Sequence, residues 1–218
     1  MTYDELIKDG DIRTYITAAD RSLAELGYTE HSFAHVMRVA SEAAKILSML
    51  GYTEREVELA KIAGYLHDIG NLVNRTDHSQ SGAVMVFRIL DRMQMPAADI
   101  AEIVTAIGNH DEGTGIPVNP ISAALILADK TDVRRSRVRN ADVASFDIHD
   151  RVNYSVERSE LSIDLAEKEI RLHLTVDTAI SSVMDYFEIF LGRMMMCRKA
   201  AERLGLQFRL HINSQTLI

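Results

Sequence analysis

The run ISAALILAD, Ile121–Asp129, is almost continuously apolar until its last residue. A helix that is hydrophobic all round is stable in water only where other elements enclose it, and this one is far shorter than the ~20 residues of a membrane span. It is therefore expected to be a buried helix at the centre of its domain. The rest of the chain has to supply the helices that wrap it. The run also ends on ionisable residues, Asp129, Lys130 and Asp132, which apolar surroundings do not tolerate without partners.

The wrapping helices are legible from their 3.6-residue period. Ile12, Tyr15, Ile16, Ala19, Leu23 and Leu26 form one face, stopped by Gly27. A second helix is expected over about 30–50, with Val36, Met37, Ala40, Ala44 and Leu47 inward and Gly51 as its break. Thr53 and Glu56 have capping-box spacing and open a third, running through Val57, Ala60, Ala63 and Leu66 toward Gly70. After a polar loop, another helix should begin near His78 and bury Ala83, Val86, Phe87 and Leu90. Pro96 starts one more, carrying Ile100, Ile103, Val104 and Ile107 and ending near His110. No strand is expected before about Asn140. Beyond it, two alternating segments between Val156 and Val176 read as a half-buried hairpin turning at Glu167 and Lys168. A long helix over about 179–204 and a strand, QFRLHIN, follow.

The expected fold is mainly α. A helical bundle covers 1–140, and a small α+β domain (hairpin, long helix, strand) covers 141–218. The stripe Met184, Phe187, Phe190, Leu191, Met194 and Met195 suits core packing or a homodimer contact, and a monomer stays open.

A net charge of −8 argues against a binder of long nucleic acid, which carries a basic footprint. The start, MTYDELIKDGD, lacks the basic and apolar regions of a secretory signal, and no apolar run approaches membrane-spanning length, so a cytoplasmic protein without a membrane partner is expected. Cys197 is the single cysteine, which excludes an intramolecular disulfide and paired-thiolate metal sites. Any metal must be held by nitrogen and oxygen.

His35, the pair His67-Asp68, His78, His110 and Asp129 all sit in or beside apolar helical patterns. Several ionisable groups in such settings suggest a shared partner, and a divalent metal is the obvious one. Imidazole with carboxylate suits Mn, Fe, Co, Ni, Zn or Mg. Six donors exceed one tetrahedral ion, so two ions about 3.5–4 Å apart, bridged by Asp68, would be economical. A lone helical histidine is more often a packing residue than a ligand. His149-Asp150 is a second His-Asp pair, but it lies in the polar stretch DIHDRVN and is expected to stay out of metal chemistry. His173 and His211 fall on the outward side of alternating strands.

Five ordered motifs, HVMRVA around His35, GYLHDIGN, HSQSGA at His78, NH at His110 and ILADKTD, resemble the HD-domain metal-dependent phosphohydrolase superfamily from about His31 to Asp132. The resemblance implies that His35, His67, Asp68 and Asp129 ligate a first metal, and that His78 and His110 complete a second in a binuclear branch. HSQSGA and NH are similar to segments of HD-type hydrolases that split symmetrical dinucleoside polyphosphates, and more distantly to the HD-GYP cyclic-dinucleotide phosphodiesterases. Asn109 stands where the latter carry another histidine and no GYP motif follows, so cyclic-dinucleotide cleavage is not expected.

The implied function is hydrolysis of a small phosphorylated substrate by metal-activated water. Asp68, Lys130 and His110 are the expected catalytic groups, and His31, Lys130, Asp132 and Arg134 the expected substrate contacts. Each has a plainer alternative: a surface ion pair for Lys130 and Asp132, packing or capping for His31, and a solvated face for the run Arg134–Arg139. Asp132 could instead orient a ligand. A mixed-valent di-iron oxygenase and a non-enzymatic ligand sensor are the competing readings.

Overall fold

Side chains that accept hydrogen bonds from a helix's own first turn set most of the helix starts. In the computed structural model, which describes residues 1–217, Thr2, Asp9, Ser32 and Thr53 cap α1 (Tyr3–Leu6), α2 (Gly10–Glu25), α3 (Phe33–Met49) and α4 (Glu54–Leu66). Thr53 and Glu56 make the reciprocal capping box that their spacing predicts. A short 3-10 turn, Ile69–Leu72, leads to α5 (His78–Arg92) and α6 (Ala97–Gly108). Asn119 accepts the Ser122 N–H and Pro120 fills the first turn of α7 (Pro120–Lys130).

Beyond these lie α8 (Ile148–Ser155), β1 (Val156–Asp164), β2 (Glu169–Val176), α9 (Val183–Arg203), β3 (Gln207–Ile212) and β4 (Gln215–Thr216). The fold is mainly α-helical with a small sheet near the C-terminus, in the order β1-β2-β3-β4. β1 and β2 form the expected antiparallel hairpin, whereas β2 and β3 run parallel, with Leu172 level with Leu210, and α9 is their crossover. The short α8 and β4 have no counterpart in the periodicity. No described helix is long and apolar enough to cross a membrane.

α7 is the buried central helix: Ile121 and Ala123–Ala128 are all buried, and α3, α4, α6 and α9 pack around it. The hydrophobic core is continuous across residue 140, because Phe190, Met194, Cys197 and Ala201 of α9 join it. The expected α9 stripe divides. Phe190 and Met194 are buried, but Met184 and Leu191 face solvent and Tyr186 takes the inner place. Met37 and Phe87, expected inward, are 49% and 53% exposed. Val39 and Ile89 close those faces instead, since each mispredicted residue lies at the edge of its apolar arc.

Two glycines bring the later site together. A Cβ on Gly64 would lie 2.7 Å from the Ala40 backbone, so only glycine lets α4 approach α3 this closely. A Cβ on Gly70 would collide with the His78 carbonyl and the Gly82 backbone, so glycine there lets the turn after Asp68 abut α5.

Candidate metal centre

His35 lies one turn into α3, on the face that carries the buried Val36 and Val39. His67 caps the C-terminus of α4 and Asp68 follows it. His78 is the first residue of α5, His110 comes two residues after α6, and Asp129 is next to last in α7. Five segments thus deliver six donors to one place.

Around Asp68 the donors fall into two sets. Its Oδ2 lies 3.5 Å from His35 Nε2 and 3.1 Å from His67 Nε2, and Asp129 Oδ1 stands 3.3 and 3.6 Å from the same two nitrogens. Its Oδ1 faces the other pair, 3.6 Å from His78 Nε2 and 4.0 Å from His110 Nε2.

The outer nitrogens fix the tautomers. Nδ1 of His67, His78 and His110 meets the carbonyl oxygens of Gly64 (2.9 Å), Arg75 (3.1 Å) and Ile107 (2.6 Å), and Nδ1 of His35 meets Asp132 Oδ2 at 2.8 Å. A carbonyl only accepts, so Nδ1 carries a proton there and each ring turns its Nε2 inward. His78 Nε2 and His110 Nε2 then face each other at 3.1 Å as two acceptors, an arrangement that calls for a cation. His35 Nε2, His67 Nε2 and Asp68 Oδ2 are buried with no hydrogen-bond partner. Buried, unpartnered atoms turned to one point and backed by acceptors on the far side of each ring are the arrangement of metal-ligating histidines, and these residues fit divalent ions once His67 gives up its proton.

The electrostatics separate the two sets of rings. Burial opposes a charge on His67, but the Asp68 and Asp129 carboxylates overcome it and raise the imidazole to about 10. Burial disfavours both carboxylates, yet His67 beside Asp68 and Lys130 beside Asp129 hold them well below the usual range. Burial pushes His78 and His110 down, leaving both neutral.

Four of the donors, Asp68, His78, His110 and Asp129, line a cavity of about 450 Å³, and His35 and His67 lie behind them. Lys130 and His31, two of the residues expected to touch substrate, line it. Lys130 Nζ binds Asp129 Oδ2 at 2.8 Å and Glu112 at 3.1 Å, which leaves Asp129 Oδ1 for the donor set. His31 bonds the Thr29 carbonyl through Nδ1, and burial with nearby Arg137 keeps its ring neutral.

Asp132 and Arg134 do not line the cavity, contrary to the expected substrate contact. Asp132 is buried beneath His35 and takes Arg38 at 3.0 Å and Arg134 at 2.8 Å. It therefore orients a donor, and Arg134 is spent on Asp132 and Glu30. Of the basic run only Arg137 reaches the cavity wall. His149 and Asp150 belong to neither donor set, but both line the cavity from the start of α8.

Sequence reasoning also missed Arg75, Glu112 and Arg193. Glu112 ties Lys130 to Arg193 of α9, whose Nε stands 2.6 Å from its other oxygen. The available signal was an arginine between Phe190 and Met194 on a helix face that is otherwise apolar.

A helical bundle that gathers histidines and aspartates from five segments around Asp68 forms a candidate divalent-metal site of the His-Asp class. The chain belongs to the HD domain family, the metal-dependent phosphohydrolase superfamily, whose family model matches residues 32–147. HD domains bind divalent metals, and His35-His67-Asp129 and His67-Asp68-His110 each form a group able to hold one. An uncharacterized protein of Methanocaldococcus jannaschii is 28% identical over 198 residues, covering 80% of this chain and 75% of that protein. The crystal structure of a predicted HD superfamily hydrolase from an uncultured Thermotogales bacterium shares 25% identity, covers 62% of this chain and 75% of its own, and gives a TM-score of 0.45.

Proposed function

We propose that this protein hydrolyses a phosphate ester or anhydride of a nucleotide or another small phosphorylated metabolite, using two divalent ions. Asp68 carries this reading, because its two carboxylate oxygens face two separate pairs of imidazole lone pairs. His35, His67 and Asp129 would hold one ion, His78 and His110 the other, and Asp68 both. Bound there, divalent ions would supply positive charge against phosphoryl oxygens and lower the pKa of a coordinated water.

The protein's own groups complete the site. Lys130 neutralises the outer oxygen of Asp129 and sets its ammonium at the cavity wall, within reach of a phosphoryl oxygen. His31 offers a neutral imidazole to the cavity that can accept a proton or a hydrogen bond. Asp132 holds the His35 ring in register through its Nδ1–H.

Metal analysis followed by a screen of nucleotides, dinucleoside polyphosphates and simple phosphate esters tests this. The wild type should carry two ions and release phosphate or a nucleotide, Asp68→Ala should abolish that release, and His78→Ala should lower the metal content toward one ion. Absence of any hydrolysis with Mn, Fe, Co, Ni, Zn or Mg would overturn the assignment. Iron content with oxygen-dependent turnover would move the protein to the oxygenase class.

A further inference from the structure

Most charges around the cavity are compensated. Lys130 has Asp129 and Glu112, Arg193 has Glu112, and Arg137 Nη1 lies 3.8 Å from Asp132 Oδ2 and donates to the Asp132 carbonyl while its Nε donates to that of Glu30. Among the arginines, lysines and carboxylates of the lining, three have no ion-pair partner within 4.0 Å among the described residues: Arg75, Asp147 and Asp150.

They come from two separate segments of the lining. Arg75 comes from the loop before α5; its Nη1 lies 3.4 Å from His78 Nε2 and 3.3 Å from Asn71 Oδ1, and its guanidinium covers the Tyr28 ring at 5.6 Å. A half-buried guanidinium beside a metal donor, with no carboxylate to satisfy it, is shaped to receive phosphoryl oxygens. Asp147 and Asp150 stand at the start of α8, where Asp147 Oδ1 accepts the Asp150 N–H. Burial and the nearness of Asp147 push the Asp150 carboxyl up, as expected for an acid lacking a cation.

The cavity's volume of about 450 Å³ is near the small end of the ~300–1,000 Å³ usual for small-molecule sites.

We infer that the cavity selects a single-phosphate ester whose leaving alcohol carries hydrogen-bond donors, either hydroxyl or ammonium groups. Arg75 takes the phosphoryl end, and Asp147 and Asp150 take the donors. Hydrolysis of such an ester adds water across the P–O bond and releases the alcohol and inorganic phosphate. A second anionic group on the substrate would meet the two free carboxylates, which disfavours polyphosphates and dinucleoside polyphosphates by both charge and volume. This substrate class rests on the phosphohydrolase reading.

Ribose 5-phosphate and phosphoethanolamine probe the hydroxyl and ammonium arms, and 2-phosphoglycolate supplies an anionic tail. Wild-type kcat/KM should favour at least one of the first two over 2-phosphoglycolate by about tenfold or more, the worth of one hydrogen bond to a charged group. Asp147→Asn with Asp150→Asn should narrow that ratio to about twofold, and Arg75→Gln should raise KM for all three about tenfold. An unchanged ratio in the double variant, or an unchanged KM in Arg75→Gln, sinks the inference.

Calorimetric titration of the same three compounds separates the two levels. If nothing is hydrolysed but binding shows the same preference and the double variant loses it, the cavity's selectivity stands and the phosphohydrolase reading falls. Equal binding of all three by the wild type overturns the selectivity.

Discussion

Replacing Gly64 by alanine probes the closest helix contact behind the centre. The added methyl would sit 2.7 Å from Cα and N of Ala40 and 3.0 Å from the Val39 carbonyl carbon. Ordinary carbon contacts lie at ~3.5–4.0 Å, and backbone atoms cannot swing aside, so α3 and α4 must part by roughly 1 Å. Overpacking of this kind costs ~1–3 kcal/mol, and alanine returns up to ~1 kcal/mol of helix propensity. A net loss of about 1–2 kcal/mol is expected, or roughly 2–8 °C in Tm for a chain of this size. The local effect is larger. The Gly64 carbonyl anchors His67 Nδ1, and the His35 and His67 rings meet across this contact with centroids 5.2 Å apart. Metal–ligand distances tolerate only about ±0.2 Å, so affinity should fall by about tenfold or more. Thermal unfolding of the metal-free variant and chelator competition on the loaded one measure the two effects. A variant at least as stable as the wild type, with unchanged metal affinity, would refute the steric argument.

Asp132→Asn should keep the fold and weaken metal binding by roughly 10–100-fold, because the carboxylate behind His35 loses its charge. Asp132→Ala should also destabilise the protein by about 3 kcal/mol or more, since buried Arg137 loses its partner; denaturant titration separates the two variants. In metal-free protein, His67 is raised from 6.5 to about 10. Its ion pairs therefore stabilise the fold fully below pH 6.5, and that contribution is lost as pH rises through 10. Metal loading near neutral pH must expel this proton, so calorimetric heats should vary with the buffer's ionisation enthalpy; buffer-independent heats would count against a protonated His67. Cys197 is fully buried and burial raises its thiol, so it should resist thiol reagents until the protein unfolds.

Much of this architecture is legible in the sequence because apolar period and caps act locally. Ile121–Ala128 can only be interior, and Thr53 with Glu56 can only start a helix economically. The six donors stand out for the complementary reason: each is ionisable where its neighbours are apolar. What depends on docking is hidden. His149 and Asp150 sit in a polar stretch, and only the placement of α8 turns them toward the cavity. The run RRSRVR does not reveal which guanidinium faces inward; Arg137 rather than Arg134 lines the cavity, although Glu30 and Asp132 hold both. Met37 and Phe87 show a further limit, since a residue at the margin of an apolar arc is assigned by the neighbouring helix and not by its own period.

The packing of α9 against α7 sets an order of events during synthesis. At ~5–20 residues per second, α7 leaves the ribosome some seconds before α9 exists to cover it. Arg193, which fastens Glu112 and through it Lys130 and Asp129, arrives only with α9. Throughout that interval the nascent chain displays six potential metal donors on an incompletely covered core. A ribosome stalled before α9 would therefore leave α7 uncovered and the donor groups without the Arg193 contact, a product open to aggregation.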